Sequence, residues 1–226
     1  MTKKQLPGLH RRPVAVTVGK NVHVNPTARF GRNVTIGNDV SIGAACHVGD
    51  SCVIGDGVKL RSNVTLGRRV TLLGAVTIRN NCVIGNESVL QNCTLQKGVM
   101  IGDNANCNSV IMQSGTYIGE NFTIYGYSNF AKTTVYALIG DDVSIEHIPH
   151  IGGKAPCYID DGAQIEANWR ASDGGIGSDA HIGANCRISL SNIGHGSKIA
   201  PTQQCILARF VITLLSVPIV ILLTRR

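Results

Sequence analysis

Aromatic residues are scarce. They make up 4% of 226 residues, with one Trp, four Phe and five Tyr. Globular cores ordinarily use these side chains as bulky filler. Their scarcity excludes a core of that kind, and the 43% hydrophobic content is carried mainly by Val, Ile, Leu, Ala and Cys. Also lacking is any block of basic residues with interleaved aromatics, although the formal net charge is +7. No nucleic-acid partner is expected on that pattern. A mild positive potential suits a phosphorylated ligand, coenzyme A or an anionic membrane face. The stretch from Met1 to Pro13 is basic and polar without an apolar run, so no secretory signal is expected in it. The eight cysteines have neither the spacing of a disulfide framework nor that of a zinc site, and no metal is expected.

What the sequence has in quantity is glycine, 26 residues, and a period of six. Steps of six from Val18 meet Val24, Phe30, Ile36, Ile42, Val48, Ile54, Leu60, Leu66, Leu72, Ile78, Ile84 and Leu90, all large and apolar. Two residues before each, from Val22, stand Ala28, Val34, Val40, Cys46, Cys52, Val58, Val64, Val70, Val76, Cys82 and Ser88, all small or β-branched. Residues two apart on a strand share a face. Each hexad therefore reads as a very short strand with one small and one large inward residue. Gly, Asn and Asp follow, as in Gly37-Asn38-Asp39 and Gly55-Asp56-Gly57, and these tolerate tight corners. Strand and corner in fixed alternation make a coil, and stacked coils pair strand on strand in parallel. The fold class is all-β, a parallel β-helix solenoid over residues 14–205, preceded by a basic tail (1–13).

The register slips between Leu90 and Leu95 and is ragged over Asn106–Gln113. Breaks are expected at Tyr125–Tyr136, Gly152–Pro156 and Asn168–Gly175, and loops that interrupt a rigid scaffold commonly carry function. Cys46, Cys52, Cys82, Cys93, Cys157 and Cys186 fall at the small inward position and read as core fillers. As free thiols they fit a reducing, cytoplasmic compartment. Residues 206–226 lose the period and are almost wholly apolar, broken by Arg209 and Pro218. This segment is expected to be helical. Its run from Phe210 to Thr224 is shorter than the ~20 residues of a comfortable bilayer span, and 206–224 reads as a membrane contact or as a cap on the open solenoid end.

Hexads such as Ile36-Gly37-Asn38-Asp39-Val40-Ser41 resemble the bacterial transferase hexapeptide family, over roughly Val14 to Ile199. The resemblance implies a left-handed β-helix with three hexads per coil, usually trimeric. Ordinary crossover rules would favour the other hand. Glu146-His147-Ile148-Pro149-His150-Ile151 is similar to the (V/I)-P-H segment in the acetyltransferase half of bifunctional glucosamine-1-phosphate acetyltransferase/uridyltransferases, and His150 aligns with its general base. Ala167-Asn168-Trp169-Arg170-Ala171-Ser172-Asp173-Gly174 resembles that family's A-N-L-R-x-D-G segment in the substrate and acetyl-CoA region. Asn92–Ile124 resembles the irregular repeat of sugar nucleotidyltransferase tails. Gln164-Ile165-Glu166-Ala167 replaces an expected Gly-Ala-Gly-Thr run, the gap from His150 to Asn168 is short by about one hexad, and the pyrophosphorylase domain is absent.

The resemblance implies an acyltransferase that moves an acyl group, acetyl in the simplest case, from acyl-CoA to the amine of a phosphorylated or nucleotide-linked amino sugar. Such a transfer needs a base with a pKa near neutrality and a donor for the tetrahedral oxyanion. His150 and Asn168 are the catalytic candidates. Arg170, Trp169 and His147 are the substrate or cofactor contacts, with Trp169 either stacked on a ring or buried against a coil. The family's sites lie between subunits of a homotrimer, so His150 and Asn168 can come from different chains. A zinc site of the family's carbonic-anhydrase kind would need His147, His150 and His181 to converge; His181 and His195 read otherwise as surface residues. The alternative to an enzyme is a non-catalytic scaffold or regulatory β-helix related to nucleotidyltransferase tails.

Overall fold

In the computed structural model the described residues are 15–126, 137–139, 144–145, 150–153, 157–172, 174–189, 192–202, 204–206, 209–210 and 221–222. They form strands of two to four residues joined by tight corners. Each strand pairs with the third strand along the chain, and the pairings are parallel. Three sheets result. Sheet A has 12 strands, from Val16–Val18 to Ile221–Leu222; sheet B has 11, from His23–Val24 to Arg209–Phe210; sheet C has 10, from Arg29–Phe30 to Lys198–Ile199. The chain runs A to B to C and climbs one strand spacing, about 4.8 Å, per coil.

The inward ladders follow the period of six. Ile36, Ile54, Leu72 and Leu90 are buried on sheet A, and Val34, Cys52, Val70 and Ser88 fill the small position beside them. A hydroxyl or thiol at the small position has a second use. The Cys52 Sγ donates to the carbonyl of Gly67 at 3.0 Å, Cys82 to that of Gln96 at 2.9 Å and Ser88 Oγ to that of Gly102 at 3.2 Å. Each satisfies a corner carbonyl of the next coil, which Ala or Val would leave bare. Cys107 is also buried, at the large position beside Leu90. A small residue there, next to Ala105, is why the repeat looks ragged in this stretch; Phe122 and Ile124 follow one coil on.

The corners need left-handed backbone, and Asn supplies it at Asn21, Asn33, Asn63 and Asn81, with φ of 54–62°. Asn bears that conformation better than most residues because its short side chain bonds locally. Here the bonds run between coils: Asn63 Nδ2 donates to Asn81 Oδ1 at 3.1 Å, and the Asn38 amide to Asp56 Oδ1 at 2.6 Å. Stacked corners also come very close. A Cβ on Gly49 would lie 2.3 Å from the carbonyl oxygen of Gly67.

Coil length changes in a way that places the candidate site. Eighteen residues separate Thr71 from its partner Val89, and 17 separate Thr77 from Thr94, because the A-to-B corner after Leu90 loses one residue. Thr123 and its partner His150 are 27 residues apart, against 17 between Asn106 and Thr123. The excess falls at 127–136, the first expected break. His150 and Arg170 are 20 apart, and the excess falls at 154–156, within the second. The third expected break is corrected. Tyr158 and Gly175 are 17 apart, and Asn168–Gly175 contains the strand Arg170–Ser172 in a coil of ordinary length. Its repeat is hidden because the large and small residues exchange places: Trp169 holds the small position, and Ala171 the one that Ile188 holds a coil further on.

The apolar C-terminal segment differs from the helical expectation where it is described. Arg209–Phe210 pairs with Asn192–Ile193 in sheet B, and Ile221–Leu222 with Cys205–Ile206 in sheet A. Unpaired sheet edges at the solenoid end favour further strand over helix. Residues 211–220 and 223–226 lie outside the described residues. Among the described residues no helix is long and apolar enough to cross a membrane.

Burial raises the thiol pKa of Cys93 to about 11 from 9.0 and puts Cys107 well above 9.0, with Cys93 adding to the latter. Folding therefore holds protons on these thiols that the unfolded chain releases from pH 9 upward. Stability is expected to be level below pH 9 and to fall as pH rises towards 11. Denaturant midpoints measured across that window check this. A flat profile would contradict it, as would alkylation of Cys93 or Cys107 in the folded protein at pH 8.

Candidate functional site at the corner between sheets C and A

One coil carries three of the residues singled out above. It leaves sheet C at Gln164–Ile165, turns through Glu166, Ala167 and Asn168, and enters sheet A at Arg170–Ser172. Asn168 is exposed at the vertex with φ of 60°, and Asn185 repeats it one coil on, also at 60°. The Asn185 amide donates to the carbonyl of Ala167 at 2.9 Å, which stacks the two vertices. Arg170 is exposed on sheet A, beside His150 in register on one side and Arg187 on the other. Two segments separated in sequence, the one ending in His150 and the one holding Asn168 and Arg170, thus lie on adjacent strands of one chain. His150 is described by its backbone, in the strand His150–Gly153. His147 lies outside the described residues.

Trp169 is placed in the core, not in a loop. It is fully buried, and its indole N–H has no hydrogen-bond partner. Alternation on the strand explains this: with Arg170 facing solvent, its neighbour must face inward. A stacking contact with a ligand ring is therefore not open to it, and of its two sequence readings the buried one holds.

The structure adds a pair that the sequence did not reveal. Glu166 Oε1 lies 3.0 Å from His181 Nε2, and Glu166 Oε2 accepts the Ala184 amide at 3.0 Å. Both side chains are a little under half exposed, 42% and 44%. A carboxylate fixed by a backbone N–H on one oxygen orients the imidazole on the other. The residues are 15 apart in sequence. They meet because Gln164 and His181 are register partners in sheet C, which only the 17-residue coil length makes visible. Glu166 had stood out merely as a departure from the Gly-Ala-Gly-Thr run. The convergence of His147, His150 and His181 that a zinc site would need lies outside the described side chains. Among the described residues no three His, Cys, Asp or Glu side chains gather as a metal site.

Three short parallel sheets wound from six-residue units define a hexapeptide-repeat β-helix. Residues 33–68 match the family model described as bacterial transferase hexapeptide (six repeats). A UDP-N-acetylglucosamine acyltransferase from Arabidopsis is similar in structure, with TM-score 0.58 and 18% identity over 80% of this chain and 68% of that one. This likeness shows the fold, the left-handed β-helix. Also similar is a mutant GDP-perosamine N-acetyl transferase from Caulobacter crescentus, in complex with CoA and GDP-perosamine. Its TM-score is 0.37 at 19% identity over 57% of this chain and 54% of that one. The acetyltransferase domain of PglB from Neisseria gonorrhoeae, in complex with acetyl coenzyme A, has TM-score 0.39 at 16% identity over 49% of this chain and 53% of that one. This chain spans about half the length of the latter two. A comparison with curated protein sequences gives no match.

The burial of Trp169 has a direct consequence. Its fluorescence is expected to resist quenching by iodide or acrylamide until the chain unfolds, and to ignore added coenzyme A. Trp169→Ala is expected to cost about 3–5 kcal/mol in a denaturant titration. Ready quenching in the native protein would put the indole at the surface.

Proposed function

We propose that the protein is an acyltransferase that moves an acyl group, acetyl in the simplest case, from acyl-CoA to the amine of a nucleotide-linked or phosphorylated amino sugar. One observation carries the reading. The two segments that resemble acetyltransferase motifs are brought together by the coil, so that His150 stands next to Arg170 in register, and Arg170 is two residues from the Asn168 vertex. The reaction needs a base for the attacking ammonium, a donor for the tetrahedral oxyanion and a cation for a phosphate. His150, Asn168 and Arg170 supply those three chemistries on one side of one corner. In this reading His150 takes the proton as the amine attacks the thioester carbonyl. The Asn168 side chain donates to the oxyanion, and collapse of the intermediate expels the CoA thiolate. His181, held by Glu166 on the other side of the corner, is the second histidine able to accept a proton. No step calls for a metal.

Turnover by His150→Ala is expected to fall at least ~100-fold, the low end for a lost general base, with the coil intact. His181→Asn serves as the internal comparison and is expected to lose far less. Thiol release followed with acetyl-CoA and a panel of amino sugars measures both. Full activity in His150→Ala would remove that residue from the mechanism, and a larger loss in His181→Asn would transfer the role. No thiol release with any acceptor, together with no CoA binding, would favour a non-catalytic β-helix.

Assembly as a homotrimer is part of the proposal and rests on the family resemblance. In this reading one chain supplies the whole set, because the His150 and Arg170 backbones are register partners and Asn168 precedes Arg170 by two residues. Mixing inactive His150→Ala and Asn168→Ala chains is therefore expected to restore nothing, since neither chain type holds a complete set. Partial return of activity would show that the two residues serve one site from different subunits.

A further inference from the structure

On sheet A one register column reads His150, Arg170, Arg187, Gln204 on four successive strands. Arg170 and Arg187 are both exposed and are direct register partners, so their strands lie about 4.8 Å apart. Like charges directly opposite across a strand pair are unfavourable. At two other places an arginine meets a carboxylate one coil away, Arg32 with Asp50 at 3.7 Å and Arg69 with Glu87. Among the described residues neither Arg170 nor Arg187 has a carboxylate partner. Arg61 and Arg79 also stack, beside the register pair Leu60 and Ile78, but that corner holds none of the site residues. The Arg170–Arg187 pair, by contrast, lies two residues past the stacked Asn168 and Asn185 vertices and continues the column that holds His150.

We propose that Arg170 and Arg187 form a binding site for a pyrophosphate group, with one phosphate on each guanidinium. Two planar forks on adjacent strands can each take a phosphate through paired N–H bonds, and an anion between them converts their repulsion into a shared attraction. The inference deepens the acyltransferase reading and rests on it for the identity of the ligand, since both acyl-CoA and a nucleotide-linked sugar carry a pyrophosphate. Arg187 thereby joins the site, although nothing in its local sequence marks it.

Calorimetry on the full chain with inorganic pyrophosphate, coenzyme A and UDP as separate probes tests the proposal without turnover, so a failure of acyl transfer and a failure of anion binding are distinguishable. Wild-type protein is expected to bind pyrophosphate with an affinity that falls as salt rises. Arg170→Gln and Arg187→Gln are each expected to weaken it at least tenfold, and the double variant to abolish it. Arg61→Gln/Arg79→Gln removes the same charge elsewhere and is expected to change nothing. The double Lys variant keeps the charge without the fork and should fall between, and it stands in should the Gln pair fail to fold. Loss of CoA binding with UDP unaffected assigns the pair to the acyl donor; the reverse assigns it to the sugar nucleotide; loss of both assigns it to both. Absence of pyrophosphate binding in the wild type overturns the proposal. So does wild-type affinity in the double Gln or Lys variant, equal loss in Arg61→Gln/Arg79→Gln, or CoA and UDP affinities that are both indifferent to the pair.

Discussion

Away from the two ends and the insertions, a strand residue in this fold has one counterpart about 4.8 Å away on the coil below and another on the coil above, and whatever it is must tolerate both. Inward positions tolerate aliphatic stacks, so Ile36, Ile54, Leu72 and Leu90 form a ladder with no polar atom in it. Corners tolerate residues that close the gap between successive turns, so Asn38 meets Asp56 and Asn63 meets Asn81. The lack of aromatic residues follows from the same constraint. A ring at one level takes volume that its own coil and its neighbours must give up, and the strand that follows the buried Trp169 carries Ala171 where the next coil carries Ile188.

The same constraint governs where the solenoid admits extra chain. The thirty or so strands are nearly interchangeable as scaffold, and a regular coil gives no concave feature of its own. Departures from regularity do. Extra chain is admitted at 127–136 and 154–156, both after strands of sheet A, and the sheet A strand between those insertions is His150–Gly153. A longer corner costs little backbone pairing, because the strands on either side keep their partners. Function can thus be added at the edge of sheet A without disturbing the aliphatic column beneath it.

Charge follows the same rule with a different sign. Stacked like charges are unfavourable, and stacked opposite charges are a cheap cross-coil bond. Arg32 with Asp50 and Arg69 with Glu87 use the second arrangement, and Glu166 with His181 adds a hydrogen bond between coils. In the Glu166–His181 pair the gain is more than charge. The carboxylate is held by the Ala184 amide, so the imidazole is positioned by the backbone of the coil itself.

The period of six, the small and large inward alternation and the corner residues were all legible in the sequence, because each depends on contacts that repeat identically from coil to coil. The buried role of Cys46, Cys52, Cys82, Cys93 and Cys186 was legible for the same reason. The two insertions were visible as lost periodicity. What the sequence could not supply is anything that depends on how many residues a particular coil contains. A change from 18 to 17 residues, or to 20 or 27, alters which side chains become neighbours without altering the local pattern. That count sets His150 beside Arg170, Arg170 beside Arg187 and Glu166 within reach of His181. It also turned an expected third loop into an ordinary strand with Trp169 buried beneath it, since an exchange of large and small residues leaves the packing volume in place but erases the periodic signal. The sequence by itself determined the coil; only the stacking of unequal coils decided which of its surface residues meet.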